Sequence, residues 1–285
     1  MGLFRTNALT VANYLLNTVP FNQYKRFFNV FAIEVVSNQS NIDHSGVSDD
    51  NACGTQPVVT TDNYLQSAFD GGGTGGGTHR CIYSDQINLI YTIANTNFPQ
   101  YDYVNVLSNT TYYGGCAGGV TFTSTNSSSS EIFVHEFGHS FGELSDEYEY
   151  GNDNCTAGTT QYINVSQQTD TSRLVWKKWL TNAPIPTTNG TNCTKIGLYP
   201  GAEYCATNWY RPKCNCKMKE LNQPFCEVCK EQIIYKISEM VNYIESYTPQ
   251  SLTPAVCRNT PQVFTVNILN SLTNTVRAQW FVDNN

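Results

Sequence analysis

The sequence predicts an α+β fold, and three groups of stretches in the 285-residue chain predict it. Strand-like apolar runs at residues 27–36, 101–107 and 120–125 occupy the N-terminal half, behind a short amphipathic helix at residues 7–16 that Pro20 closes. A run carrying two histidines, residues 130–142, follows the third strand. A long amphipathic helix comes much later, with Val228, Ile233, Ile234, Ile237, Met240, Val241 and Ile244 on its apolar side.

Taken in order, residues 27–36 are almost continuously apolar, which suits a strand covered on both faces. Residues 37–56 read as a polar loop with His44 and Cys53, and residues 70–78, six of them glycine, as a flexible loop. That loop lacks the Gly-Lys-Ser/Thr ending of a phosphate-binding loop. Residues 87–94 fit a helix or a buried strand equally. The alternation in residues 120–125 suits an edge strand with one wet face, to which an extended peptide can add as a further strand. Four serines at 127–130 supply N-cap candidates for the helix that follows. From Tyr148 to about Asn222 the chain reads as an irregular, cysteine-rich subdomain with a short helix at 171–180. Pro249 and Pro254 then mark a boundary. The strand-like runs 262–269 and 275–282 are expected to open a β-sandwich module at 258–285, apart from a main domain at 1–250; two strands alone are marginal in water.

A formal charge of −7 and the lack of a basic patch argue against a nucleic-acid partner, and no apolar run has the length of a membrane span. Eleven cysteines suggest an oxidising compartment. Acceptor patterns N-x-S/T at Asn38, Asn109, Asn126, Asn154, Asn164, Asn189 and Asn192 agree with a secreted or cell-surface glycoprotein. No apolar h-region follows the first six residues, so the expectation is a removed signal or a piece of a longer precursor. Cys214-x-Cys216 and Cys226-x2-Cys229 have zinc-ribbon-like spacing, yet disulfides are favoured in such a compartment, with the odd number leaving a thiol over.

His135 and His139 lie four positions apart, on one helix face, at the spacing that lets both bind one zinc ion. Glu136 is placed to act as general base on a metal-polarised water, as in H-E-x-x-H helices. The chain has only four histidines, His44, His79, His135 and His139, so a third ligand downstream must be a carboxylate. Glu143 would sit about 12 Å along the axis from His135 at ~1.5 Å per residue, too far to share the ion. A left-handed bend at Gly142 would instead bring Asp146 or Glu147 back. Asp146 is preferred as the shorter, stiffer ligand. A weak Ca2+ site among Glu143, Asp146, Glu147, Glu149 and Asp153 is the alternative for this acidic run.

The stretch His135-Glu-Phe-Gly-His-Ser-Phe-Gly-Glu-Leu-Ser-Asp-Glu-Tyr148 resembles the motif of the IgA-peptidase-like zinc metallopeptidases, a zincin family. Tyr112-Tyr-Gly-Gly115, Tyr210-Arg-Pro212, Cys216-Lys-Met218 and Pro224-Phe-Cys-Glu-Val-Cys229 resemble its other blocks. The resemblance implies an α/β zincin with a twisted mixed sheet whose edge strand lies over the zinc-binding helix, and an immunoglobulin-like C-terminal module. It also implies His135, His139 and Asp146 as ligands, Glu136 as base, and Met218 as the methionine beneath the metal. The metzincin pattern H-E-x-x-H-x-x-G-x-x-H is followed through Gly142 only, with Ser145 at the third-ligand place. Tyr210 is a candidate for stabilising the oxyanion. The expected function is a secreted zinc endopeptidase acting on protein or peptide substrates. The rival readings are a glycan- or protein-binding module with a vestigial zinc site, and a zinc-dependent amidase acting on something other than peptides.

Overall fold

The computed structural model describes residues 2–44, 58–69, 79–180, 184–188, 190, 194–251, 253–255, 257–273 and 275–281. The glycine-rich stretch 70–78 and most of the polar loop before it, including Cys53, lie outside these, as do Asn189 and Asn192. In chain order the elements are α1 (Gly2–Asn17), β1 (Ser67–Ala68), β2 (Tyr83–Ser84), α2 (Ile87–Asn97), β3 (Asn105–Ser108), β4 (Gly115–Cys116), β5 (Thr121–Ser124) and α3 (Ser129–Ser140). They continue with β6 (Glu149–Asn152), β7 (Tyr199–Ala202), β8 (Tyr204–Arg211), α4 (Glu227–Met240), β9 (Ile244–Thr248) and β10 (Thr265–Ile268). Helices and small sheets mix without βαβ alternation: the fold is α+β. None of the described helices is long and apolar enough to cross a membrane.

Helix α3 joins the two halves of the interior. Its Phe133, Phe137 and Phe141, spaced four apart, face Val11 and Leu15 of α1, Phe21, and Ile233 and Ile237 of α4 in the main core. At about 100° per residue, His135 and His139 then point to the opposite side. Through Ile132, Glu136 and Ser140, on a third face, α3 packs on a mixed sheet of order β3-β5-β4, with β3 parallel and β4 antiparallel to β5. A second cluster of Ile42, Phe69, Ile82, Ile90, Val120 and Phe122 lies among β5, α2 and the β1–β2 pair. The second mixed sheet, β6-β8-β7, carries the chain that follows α3.

Several expectations are corrected here. The strand at 120–125 is β5, which is central, and all four of its residues are buried; alternating polarity came from Thr121, Thr123 and Ser124, whose hydroxyls are buried with the backbone. Thr121 and Thr123 bond Ser140 and Asn105 instead of water. The edge strands are β3 and β4, and the Gly115 N–H of β4 donates to Arg80 O at 3.0 Å, so that position on the β4 edge is already taken. Residues 28–36 form no strand. They run beside α1, tied by Arg5 to Glu34, with Phe31 stacked on Phe98; an apolar run becomes a strand only where a neighbour supplies ladder partners, which composition does not reveal.

Residues 87–97 are helix, and β3 starts at Asn105, later than expected. Residues 171–180 hold only a 3-10 turn at Lys177–Trp179. Helix α4 stops at Met240, and Ile244 opens β9, which pairs antiparallel with β10 across the expected domain boundary. The described residues 275–281 are not a strand. No serine hydroxyl caps α3; at its N-cap, Ser128, the backbone N–H bonds Asn126 Oδ1 at 2.9 Å.

Candidate metal centre

His135 and His139 leave α3 side by side, their Nε2 atoms 3.2 Å apart. Each ring is aimed by a backbone carbonyl that accepts from its Nδ1–H: Lys217 O at 2.9 Å for His135 and Leu144 O at 2.6 Å for His139. A carbonyl only accepts, so Nδ1 carries the proton and Nε2 faces the shared point, the tautomer in which a histidine binds a metal through Nε2. Asp146 Oδ1 lies 3.2 Å and 3.1 Å from the two Nε2 atoms and is itself buried without a well-formed hydrogen bond. Three donors of types N, N and O thus converge on one point.

The bend that returns the chain is made by Glu143, at φ +53°, and not by Gly142. Gly142 is needed for closeness: a Cβ there would lie 2.7 Å from Gly138 O and 3.1 Å from Leu144 Cγ. Beyond the bend, Asp146 and Glu147 face different ways. Asp146 meets the histidines. Glu147 is fully buried among Cys216, Cys226 and Cys229, with Asn164 Nδ2 donating to its Oε1 at 2.9 Å. Asn164, an expected glycan acceptor, is itself fully buried and bonds Ser145 through both N–H and C=O. The acidic run does not converge on a Ca2+ site: Glu143 pairs with Lys236 and Glu149 accepts from Gly151 N–H.

Glu136 is half-buried on α3, one residue from the first histidine. Burial raises its pKa, against the pull of the two imidazoles. Gly115 of β4 comes close because it has no side chain; a Cβ there would lie 2.5 Å from Ile132 Cγ2 and 3.5 Å from Glu136 Cγ. Met218, fully buried, packs under α3 at Gly138, where a Cβ would lie 2.7 Å from Met218 Sδ. The Cys216–Met218 segment is held to the start of α3 by Lys217 Nζ, which reaches Glu131 Oε2 at 2.5 Å in a nearly buried pair.

Tyr210 packs against the main core, its backbone bridging Ser166 in both directions. Two further tyrosines stand beside the three donors. Tyr204 donates its hydroxyl proton to Asp146 Oδ2 at 2.6 Å. Tyr148 lies with its ring 6.3 Å from that of His135, and Arg80 sits over Tyr148 and Tyr150 at 5.9 Å from each centroid. Burial raises the pKa of both Tyr148 and Tyr204. Tyr204 is delivered by the β7–β8 turn, whose two central residues, Glu203 and Tyr204, have φ of +49° and +64°. Such a turn favours Asn and Gly, and for L-residues this conformation costs roughly 1–2 kcal/mol each. The Cys155–Cys205 disulfide braces the turn at its exit. Nothing local marks Tyr204, which is 58 residues from Asp146. His44 and His79 bond each other, Nε2 to Nε2 at 2.9 Å, beside Phe69 and Tyr112, and are not among the three donors. A cavity of about 1080 Å³ lies along α1 and residues 28–37, and none of the three donors lines it.

Without an ion the centre stores a proton. Burial lowers the His139 pKa, but close pairing with Asp146 wins and raises it to about 9; burial raises Asp146, and the imidazoles hold it well below the usual carboxylate range. An unfolded histidine titrates near ~6.5. Between these values the folded form keeps a proton that the unfolded chain has released, so this stabilisation is complete below ~6.5 and is lost as pH rises through about 9. Thermal melts of chelator-treated protein are expected to fall in Tm over that window, by the equivalent of up to about 3 kcal/mol. Protein loaded with a divalent ion, which displaces the proton, is expected to lack this fall.

No curated protein matches the chain. A model of the family described as IgA Peptidase M64 matches residues 2–192 and 188–237. That match takes in α1, the sheet, α3, the returning carboxylate and nearly all of α4. The chain is therefore a member of the IgA peptidase M64 family of metallopeptidases.

Proposed function

We propose that the chain is a secreted zinc endopeptidase that hydrolyses peptide bonds of extracellular proteins, built on a zincin core of α3 and its mixed sheet. The observation that carries this is the convergence of His135 Nε2, His139 Nε2 and the buried Asp146 Oδ1 beside Glu136. Two imidazoles and one carboxylate suit zinc in a site that keeps a fourth position open. When bound there, zinc would polarise the scissile carbonyl and lower the pKa of a water.

The chain's own groups do the rest. Glu136 takes the proton of the attacking water and delivers it to the departing amine; its raised pKa brings it closer to the working pH. Tyr148, its ring against His135 and its hydroxyl kept protonated by burial, joins Tyr210 as a candidate donor to the developing oxyanion. Tyr204 orients Asp146. The disulfides Cys81–Cys116 and Cys155–Cys205 support an oxidising compartment.

Tyr204→Phe removes one hydrogen bond to the carboxylate and keeps the ring. It is expected to weaken zinc binding about 10–100-fold, the usual cost of losing an outer partner, as read by chelator competition. The proposal as a whole is tested with a peptide library read by mass spectrometry, with and without chelator. Chelator-sensitive cleavage supports it. Zinc-loaded protein that cleaves no peptide points to a binding module, or, where it releases amines from amidated sugars, to an amidase.

A further inference from the structure

We infer that Glu147, Cys216, Cys226 and Cys229 form a second metal site, one that binds a thiophilic divalent ion, zinc, in a closed structural role. All four side chains are buried, at 0%, 0%, 2% and 0% exposure, and their donor atoms lie within 4.8 Å of one another. The three thiols carry no disulfide, although Cys81, Cys116, Cys155, Cys205 and Cys214 in the same chain are all oxidised. Cys214, which sequence spacing groups with Cys216, is thus committed elsewhere, and Glu147 stands in its place.

The spacing of the donors fits an ion. Cys216 Sγ and Cys226 Sγ lie 3.6 Å and 3.5 Å from Cys229 Sγ, and Glu147 Oε1 lies 3.2 Å from it. Tetrahedral zinc with Zn–S near ~2.3 Å and Zn–O near ~2.0 Å sets sulfurs ~3.8 Å apart and sulfur and oxygen ~3.5 Å apart. A disulfide requires ~2.05 Å. The second carboxylate oxygen, Glu147 Oε2, is buried with no hydrogen-bond partner, so this buried carboxylate still has lone pairs to offer an ion.

The surroundings suit a bound anionic cluster. Cys226 is the N-cap of α4 and Cys229 lies in its first turn, where the helix dipole favours thiolates. The Cys226 N–H donates to Cys216 Sγ at 3.3 Å, and Asn164 orients Glu147. Four protein donors and no exposed face make a closed site, unlike the three-donor centre on α3. The two share a wall: Lys217 O aims His135 and Met218 O accepts from Glu147 N–H at 2.8 Å. An ion at the cysteines would therefore fix the segment that holds the first histidine.

The site stands apart from the peptidase reading and is tested apart from it. Zinc-loaded full chain is expected to hold two equivalents by elemental analysis, and the His135→Ala/His139→Ala variant one. Cobalt loaded into that variant is expected to show thiolate-to-cobalt charge transfer in the near ultraviolet. Glu147→Gln is expected to weaken the residual site at least tenfold in chelator competition. Absence of metal from the double-histidine variant, cobalt without the thiolate band, or a disulfide among these three cysteines in non-reducing peptide mapping would each overturn the proposal. An unchanged affinity in Glu147→Gln would remove the carboxylate from the ligand set. None of these readouts depends on turnover.

Discussion

Glu136→Gln protein is expected to bind zinc as tightly as the parent and to hydrolyse peptides about 10²–10⁴-fold more slowly, the range that positioned acid–base groups contribute. Glutamine keeps the shape that packs beside Gly115, so α3 and the sheet need not move. The amide cannot accept a proton from water or pass one to the leaving amine. Because Glu136 is not among the three converging donors, metal content should not change. Single-turnover cleavage by metal-verified protein is the measurement. Turnover at the parental rate would remove Glu136 from the chemistry and leave the family's activity to be explained by another base.

Asp146→Ala is the second large effect. It is expected to weaken zinc binding at the α3 centre well beyond the ~10–100-fold that loss of an outer partner costs, and to abolish turnover at ordinary zinc concentrations. The carboxylate contributes a donor and most of the local negative charge. Its removal leaves two imidazoles facing one another, Nε2 to Nε2 at 3.2 Å, without the anion that makes them attractive to a cation. Glu147→Gln is the contrasting variant, since Glu147 faces the cysteines and its loss should spare the α3 ion. Isothermal titration with zinc separates the two. Should Glu147→Gln empty the α3 centre while Asp146→Ala keeps it filled, the ligand assignment is reversed.

The parts of this centre that were legible in the sequence are those that a single helix determines. His135, Glu136 and His139 need only α3 to form for their relative placement to follow, because the period of the helix is a local property. That Phe133, Phe137 and Phe141 take the opposite face is the same arithmetic. Proximity also limited the choice of carboxylate to a few residues past the helix end. The bend itself was placed one residue early, because glycine signals equally a left-handed conformation and a close contact, and Gly142 serves the second.

Where apolar content stood in for pairing, the reading failed. Residues 27–36 have the composition of a buried strand and no ladder partner, while β5 has the alternation of an edge strand and sits in the middle of its sheet. Pairing is decided by which segments meet, and alternation records polarity without recording which hydroxyls find partners inside the protein. The cysteine spacing misled in the same way. Cys214 and Cys216 are two residues apart, yet one is oxidised and the other joins a glutamate 69 positions earlier in the chain, by their numbers 216 and 147.

By itself, then, the sequence determined a helix with two imidazoles and a carboxylate in register, the family to which that helix belongs, and an acidic pair that had to return toward it. Only the tertiary structure decided that Asp146 and Glu147 part company, that Tyr204 and the carbonyl of Lys217 brace the histidine side, and that three thiols wait on the other. The physical reason is one of range. Backbone hydrogen bonds set geometry over four residues, whereas these partners lie 58 to 82 residues away and meet only when α3, β8 and the Cys216–Met218 segment pack together.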